Sequence, residues 1–327
     1  MQFPPLTSLS VVVPVYNGEH TLEELAERLS RVLPGLSSRH EVILVNDGSQ
    51  DESWQTICRL SQEYPWVRGI NLMRNYGQHN ALLCGIRSAS NEVIITMDDD
   101  LQHPPEEIHK LLEKLAEGYD VVYGVPQKLP HSWWRNWFSV FIKRVLAYVM
   151  GVRNMRDVSA FRAFRARLRL AFQDYKNPNV LVDVLLSWGT TRFGQVPVIE
   201  EPRAVGHSNY NFYKLFQVAM VVLTGFSTAP LRFTSMVGFF FTFLGILIFF
   251  YVLAIYFLVG SIPGFPFLAS IISLFSGTQL FALGIIGEYL ARIFDRSVDR
   301  PAYVVGETSQ QEDFAEPVSA PSHLTQP

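Results

Sequence analysis

The 327-residue chain is poor in cysteine, with Cys58 and Cys84 its only two. Two cannot build a disulfide framework, and neither stands at metal-site spacing from another Cys or His. Both read as small buried hydrophobes, which fits a reducing compartment. Charge is also sparse: 27 Lys and Arg stand against 30 Asp and Glu, only 17% of residues are charged, and the net charge is -3. That balance argues against general nucleic-acid binding. A secretory signal is missing as well: Met1–Leu9 contains Pro4 and Pro5 and no basic residue, and the apolar run that follows is interrupted by Pro14. The part before residue 230 is therefore expected in the cytoplasm. The widest gap lies further on, where 55 consecutive residues from Phe233 through Gly287 carry no Asp, Glu, Lys or Arg. This stretch is rich in Phe, Leu and Ile and excludes a purely soluble protein.

The gap is too long for one membrane span and long enough for two of about 20 residues each. The run Gly260-Ser261-Ile262-Pro263-Gly264-Phe265-Pro266 divides it into expected spans of about 233–257 and 267–290. Arg232 precedes the first, and Arg292, Arg296 and Arg300 follow the second. Cations at both outer flanks and none in the connecting turn put both ends on the cytoplasmic side. Glu288, at the inner end of the second span, is expected to reach water or a partner.

Upstream, residues 126–176 hold eleven Lys and Arg but only two acids, Asp157 and Asp174. Trp133, Trp134, Trp137, Phe138 and Phe141 are interleaved with Arg135, Lys143 and Arg144. That pattern suggests an amphipathic helix on a membrane surface, drawn to anionic head groups. Leu215–Leu231 is a shorter uncharged stretch, expected as a second interfacial helix. The tail from Thr308 is Ser, Pro, Gln and acid, and is expected to be disordered.

The first 125 residues have another rhythm. Apolar strands are expected at Ser10–Val15, Glu41–Val45, Val67–Leu72, Glu92–Met97 and Asp120–Gly124, with amphipathic helices between them. Leu22, Leu25, Leu29 and Val32 share one helical face, as do Ile108, Leu111, Leu112 and Leu115. Strands alternating with helices imply βαβ units, a parallel-core sheet and a ligand at the carboxyl ends of the strands. At roughly 150 residues per domain the length allows two domains.

Three groups of chemistry-bearing residues fall at those ends. They are Pro14-Val15-Tyr16-Asn17-Gly18-Glu19, then Asn46-Asp47-Gly48-Ser49, then Asp98-Asp99-Asp100-Leu101-Gln102. Adjacent acids at a strand end are costly unless a positive group binds there. A hard divalent cation, Mg²⁺ or Mn²⁺, suits carboxylate and amide oxygens and leaves positions for substrate phosphates.

The segments VVVPVYNGEHTL, VNDGS, RNYGQHNAL and DDDLQHPPE, with the paired C-terminal spans, resemble the polyprenyl-phosphate glycosyltransferases of glycosyltransferase family 2 over about residues 8–305. RNYGQHNA is closer to the aminoarabinose-type branch than to the glucosyl branch. The resemblance implies a GT-A (Rossmann-like) α/β catalytic domain with amphipathic interface helices and two C-terminal transmembrane helices. It implies inverting transfer of a sugar, from a UDP-sugar by preference over GDP-mannose, to a membrane polyprenyl phosphate. A homotetramer and a plasma (inner) membrane location also follow from it.

Position by position, the resemblance assigns Pro14, Tyr16, Glu19, Asp47, Asp98 and Asp99 to the nucleotide-sugar, with Asp99 where the family usually has Ala. It assigns Asp98, Asp100 and Gln102 to the metal. Arg74, Asn75 and Gly77 fall near the donor. Asp157, Arg162 and Arg165 match an acceptor-side segment, and Arg203, Gly206 and Ser208 match a loop that closes over phosphates. Asp100, Asp157, Arg162 and Arg203 are the expected catalytic residues. Arg135, Arg162, Arg165 and Ser208 are the expected acceptor-phosphate contacts. Two family cations are absent: Pro126 stands where an Arg is common, and Asn209 where a Lys follows the Ser. Lys128, His207 or Lys214 could substitute.

The resulting division is 1–125 nucleotide-sugar-binding core, 126–230 acceptor-side part with interfacial helices, 231–293 two spans, 294–307 cytoplasmic segment and 308–327 tail. A processive polysaccharide synthase of the same fold is disfavoured, because no Gln-x-x-Arg-Trp run occurs and two spans make a poor channel. An inactive scaffold or lipid-sugar binder is disfavoured by the intact Asp98, Asp100, Gln102 and Arg203.

Overall fold

A computed structural model describes residues 8–126, 158–201, 229–259, 264–298 and 300–310. The strands are β1 (Leu9–Val15), β2 (His40–Asn46), β3 (Val67–Leu72), β4 (Val93–Thr96), β5 (Val121–Pro126), β6 (Arg162–Arg165), β7 (Phe193–Val198) and β8 (Val305–Thr308). The helices are α1 (Leu22–Leu36), α2 (Ser53–Glu63), α3 (Gln78–Ser88), α4 (Ile108–Ala116), α5 (Val182–Gly189), α6 (Ala229–Val259) and α7 (Phe265–Ser297).

The strands form one sheet in the order β7-β5-β6-β4-β1-β2-β3-β8. β1 pairs in parallel with β2 and β4, β2 with β3, and β5 with β7. β6 runs antiparallel between β4 and β5, and β8 runs antiparallel along β3. The sheet therefore has the expected parallel core, β4-β1-β2-β3, and is mixed outside it. Both exceptions are short strands that return after long excursions of the chain. β6 and β7 also carry the sheet past residue 125, so the segment expected on the acceptor side shares its core.

Side chains alternate across each strand. Val11, Val13 and Val15 pack with Leu25 and Leu29 of α1, Ile57 of α2 and Leu111 of α4 on one face. Val12, Ile43 and Val45 pack with Leu83 and Ile86 of α3 and Leu185 of α5 on the other. A strand covered on both faces is apolar almost throughout, which is why β1 reads Leu-Ser-Val-Val-Val-Pro-Val, with the buried Ser10 hydroxyl satisfied by Glu41 Oε1 at 2.6 Å.

α6 and α7 are 31 and 33 residues long. At ~1.5 Å per residue each exceeds the ~30 Å of a hydrocarbon core. Within α6, Leu231–Val252 is long and apolar enough to cross a membrane, with mean hydropathy 2.2. Phe239, Phe240, Phe243, Phe249 and Phe250 on α6 are all exposed, leaving its apolar surface outside any protein core. α7 packs along it where Phe275 meets Gly245 and stacks edge-on against Phe241.

The tail expected from Thr308 is ordered in its first three residues. Thr308 ends β8, Ser309 N–H donates to Gly69 O at 3.0 Å, and Gln310 reaches Val67 O at 3.4 Å. Pairing to β3 supplies the backbone partners that composition alone did not foresee. The aromatic run 133–141, residues 215–228 of the second expected interfacial helix and residues 311–327 lie outside the described residues, while Ala229–Leu231, expected to end that helix, instead begin α6.

Candidate active site

The carboxyl ends of β1, β2 and β4 open into a cavity of about 460 Å³. Its wall is the β1–α1 loop (Pro14, Val15, Tyr16, Asn17, Gly18, His20 and Thr21), Asp47 after β2, Asn75, Gly77 and Gln78 at the start of α3, and Asp98, Asp99 and Asp100 after β4. Tyr16 is half exposed at the mouth.

The loops are held by backbone contacts with one another. Asp47 is buried, and its carboxylate accepts N–H groups from Tyr76 at 2.7 Å and Gly77 at 2.8 Å. Burial nevertheless pushes its pKa up from the ordinary carboxylate value. Gly48 adopts φ 65°, and a Cβ there would collide with the backbone of Arg74 and Asn75. Only glycine allows the β2 and β3 loops to meet so closely. Glu19 does not line the cavity. Its Oε2 accepts Glu52 N–H at 2.9 Å, while its own N–H donates to Asp51 Oδ2 at 3.2 Å. It therefore braces the loop that carries Tyr16 instead of facing a ligand.

The three consecutive acids differ. Asp98 Oδ1 accepts a 2.6 Å hydrogen bond from Gln78 Nε2. Asp100 Oδ1 accepts Gln102 N–H at 3.1 Å, across a turn made by Leu101 at φ 60°. Asp99 packs directly over Gly18, and its Oδ2 is buried without a hydrogen-bond partner. Burial first, and the negative charges of Asp98 and Asp100 second, push the Asp99 carboxyl up to about 7. A buried Asp99 oxygen without a partner, between two further carboxylates, suits a positive group. Among the described residues, no three His, Cys, Asp or Glu side chains are grouped so as to hold a metal ion. Two carboxylates make an open site, the kind that shares its ion with substrate phosphates. Gln102 lies beyond the cavity wall, and its backbone O accepts Glu201 N–H at 2.9 Å.

Two expected phosphate contacts are corrected. Arg162 is 1% exposed, with its guanidinium paired to Asp183 and its Nε bonded to Thr96 Oγ1 at 2.9 Å. Asp183 also accepts the Tyr123 hydroxyl at 2.9 Å. Arg162 sits inside the sheet beneath β4 and cannot meet a lipid head group. Arg165 pairs in register with Val93, at the amino end of β4, while the cavity lies beyond the opposite end. Its Nε is 3.9 Å from Asp120. Alternation along β6 points Arg162 and Arg165 to opposite faces, which the spacing in sequence could not convey. Arg135, Asp157, Arg203 and Ser208 lie outside the described residues.

The sequence reading missed Asn17, Gln78, Thr96 and Asp183 as individual contributors. Gln78 was inside the RNYGQHNAL run, so its motif was visible though its bond to Asp98 was not. Asp183 carries no local signal, because its partner is on another element.

The profile of Glycosyl transferase family 2 matches residues 10–175. The chain is 32% identical over 320 residues to undecaprenyl-phosphate 4-deoxy-4-formamido-L-arabinose transferase of Klebsiella pneumoniae, covering 96% of this chain and 98% of that protein. It is 35% identical over 308 residues to the protein of the same name from Proteus mirabilis, covering 93% and 94%. Among solved structures, glucosyl-3-phosphoglycerate synthase from Mycobacterium tuberculosis aligns with TM-score 0.49 and 18% identity, over 67% of this chain and 77% of that one.

Proposed function

The chain belongs to glycosyltransferase family 2, and from that premise we propose that it transfers a sugar from a UDP-sugar to a membrane polyprenyl phosphate with inversion at the anomeric carbon. The observation that carries this reading is the cavity at the strand ends, with Asp47 on one side and Asp98 and Asp100 on the other. The relatives named for undecaprenyl phosphate and a 4-formamido-arabinose support a polyprenyl phosphate acceptor and an amino-pentose type of sugar.

In this reading the nucleoside lies against Pro14, Tyr16 and Asp47, with Asn75 and Gly77 closing the wall beside it. Asp98 and Asp100 would hold Mg²⁺ or Mn²⁺, and the ion would supply positive charge toward the leaving diphosphate. Gln78 fixes the orientation of Asp98 through its 2.6 Å bond. The lipid phosphate oxygen forms the new bond to the anomeric carbon as the bond to the diphosphate oxygen breaks on the opposite face. A phosphate monoester is already anionic at neutral pH, so no strong base is required. Positioning and electrostatics supply most of the rate. Arg203 and Ser208 are proposed to close over the phosphates, with Arg135 at the lipid entry and Asp157 beside the acceptor. Arg162 takes no part in binding and instead holds β4 in place.

α6 and α7 are proposed as two spans with both ends in the cytoplasm, in the plasma (inner) membrane. The homotetramer and the divisions at residues 125, 230, 293 and 307 belong to the same proposal.

The test is a thermal-shift panel of UDP, GDP and their sugars with Mn²⁺. UDP compounds should raise the melting temperature and GDP compounds should not. Stabilisation by GDP-mannose alone would overturn the donor assignment.

A further inference from the structure

β8, the strand that follows the membrane hairpin, is linked to the cavity by a chain of hydrogen bonds that all donate in one direction. Asn17 N–H donates to Ser49 Oγ at 3.0 Å. Ser49 Oγ–H donates to Asn46 Oδ1 at 2.5 Å. Asn46 Nδ2 donates to Asn71 Oδ1 at 2.7 Å, and Asn71 Nδ2 donates to Glu307 Oε1 at 2.9 Å. Asn17 lines the cavity with φ 53°, Asn46 is 2% exposed, and Glu307 is on β8.

The chemistry of the last member sets the direction. An ionised carboxylate accepts only, so Asn71 must turn its NH₂ to Glu307 and its oxygen to Asn46. Asn46 must then present its own NH₂ to Asn71 and its oxygen to Ser49. That orientation makes Ser49 a donor to Asn46 and leaves its oxygen to receive Asn17 N–H. Ser49 N–H also donates to Asn46 Oδ1 at 3.4 Å, so the Asn46 amide is held in the same sense from both sides, and hydrogen bonds in series reinforce one another. β8 is itself fixed to the sheet, because Met73 N–H donates to Val304 O at 3.0 Å and Gly69 N–H donates to Ser309 Oγ at 2.7 Å.

We infer that Glu307, Asn71, Asn46 and Ser49 form a positioning relay by which the strand after the membrane hairpin sets the geometry of the donor-binding loop at Asn17. The inference rests on the proposed donor site, and it adds that the membrane anchor and nucleotide binding are coupled through this chain. None of the four is a catalytic residue.

The experiment removes the last acceptor, with and without the amide that reads it. Full-length protein in lipid nanodiscs is followed by amide hydrogen exchange of the segments around Asn17 and Ser49, without ligand. UDP affinity and the KM for undecaprenyl phosphate are measured in parallel. Glu307→Ala leaves the Asn71 NH₂ without its acceptor, and should speed exchange at both segments and weaken UDP roughly fivefold, the scale of one hydrogen bond, with the KM for the lipid unchanged. With Asn71→Ala already in place, adding Glu307→Ala should change neither readout further. Unchanged exchange in Glu307→Ala, or an equal further effect of Glu307→Ala once Asn71 is removed, overturns the relay. Altered exchange with unaltered UDP affinity overturns its role in donor positioning. A wild-type protein that binds no UDP contradicts the proposed function instead, while the exchange comparison still decides the relay.

Discussion

The Asp99 carboxylate rests on Gly18, in space that any β-carbon would fill. The loop after β1, proposed to hold the nucleotide, and the acidic turn after β4 thereby form one surface, joined through a glycine that has no local reason of its own to be there. Gly18→Ala forces Asp99 aside or lifts the loop, and overpacking of this kind costs about 1–3 kcal/mol. The expected outcome is a lower melting temperature together with a raised KM for the donor. Gly35, where an added β-carbon would meet nothing within 4 Å, provides the control: Gly35→Ala should leave the donor KM at its wild-type value.

Arg162 separates a structural from a substrate role. Arg162→Ala leaves Asp183 buried and unpaired, and breaking such a pair costs about 3–5 kcal/mol. For a domain of this size that corresponds to a fall on the order of 10 °C in melting temperature. Calorimetry of the purified variant checks this. A variant of wild-type stability with a raised KM for the lipid phosphate would restore Arg162 to the acceptor site.

A cation bound at the acidic turn, as proposed, would compete there with a proton. The Asp99 carboxyl is raised to about 7 from an ordinary 3.8, mainly by burial. Between those values the folded state holds a proton that the unfolded state has released, so the metal-free protein loses stability as pH rises through that window. Cation binding relieves the penalty. Mn²⁺ should therefore raise the melting temperature more at pH 8 than at pH 5.5, and Asp99→Asn should flatten the difference. An Mn²⁺ effect equal at both pH values would contradict the assignment of this turn to the cation.

How much of this was legible in the sequence depended on whether the cause was local. β1 and β2 were legible because strands covered on both faces show continuous apolar runs, Val11–Val13 and Val42–Val45. The three acids were legible because they follow β4 directly. β6 was not, since Arg162-Ala163-Phe164-Arg165 hides its core face behind two arginines. One of them is neutralised by Asp183, which comes from a distant helix. β8 was hidden for a similar reason: Val305-Gly306-Glu307-Thr308 is too short to announce a strand, and only the exposed edge of β3 makes it one. Gln78 and Asn17 were quoted within motifs, but their contacts depend on how three loops meet.

The orientation of the hairpin has its own test. A cysteine at Ser261, in the expected outer turn, should react with a membrane-impermeant maleimide on intact cells, and a cysteine at Arg300 only after permeabilisation. Labelling of Arg300→Cys on intact cells would reverse the topology.

Transfer to lipid phosphate is tested most directly by incubating the purified protein with labelled UDP-sugars, Mn²⁺ and undecaprenyl phosphate, and following the label into the organic phase. The account predicts a chloroform-soluble monosaccharide lipid of inverted anomeric configuration, lost in Asp100→Asn at saturating metal. Label in a polymer, no lipid product from any donor, or full turnover by Asp100→Asn would contradict it.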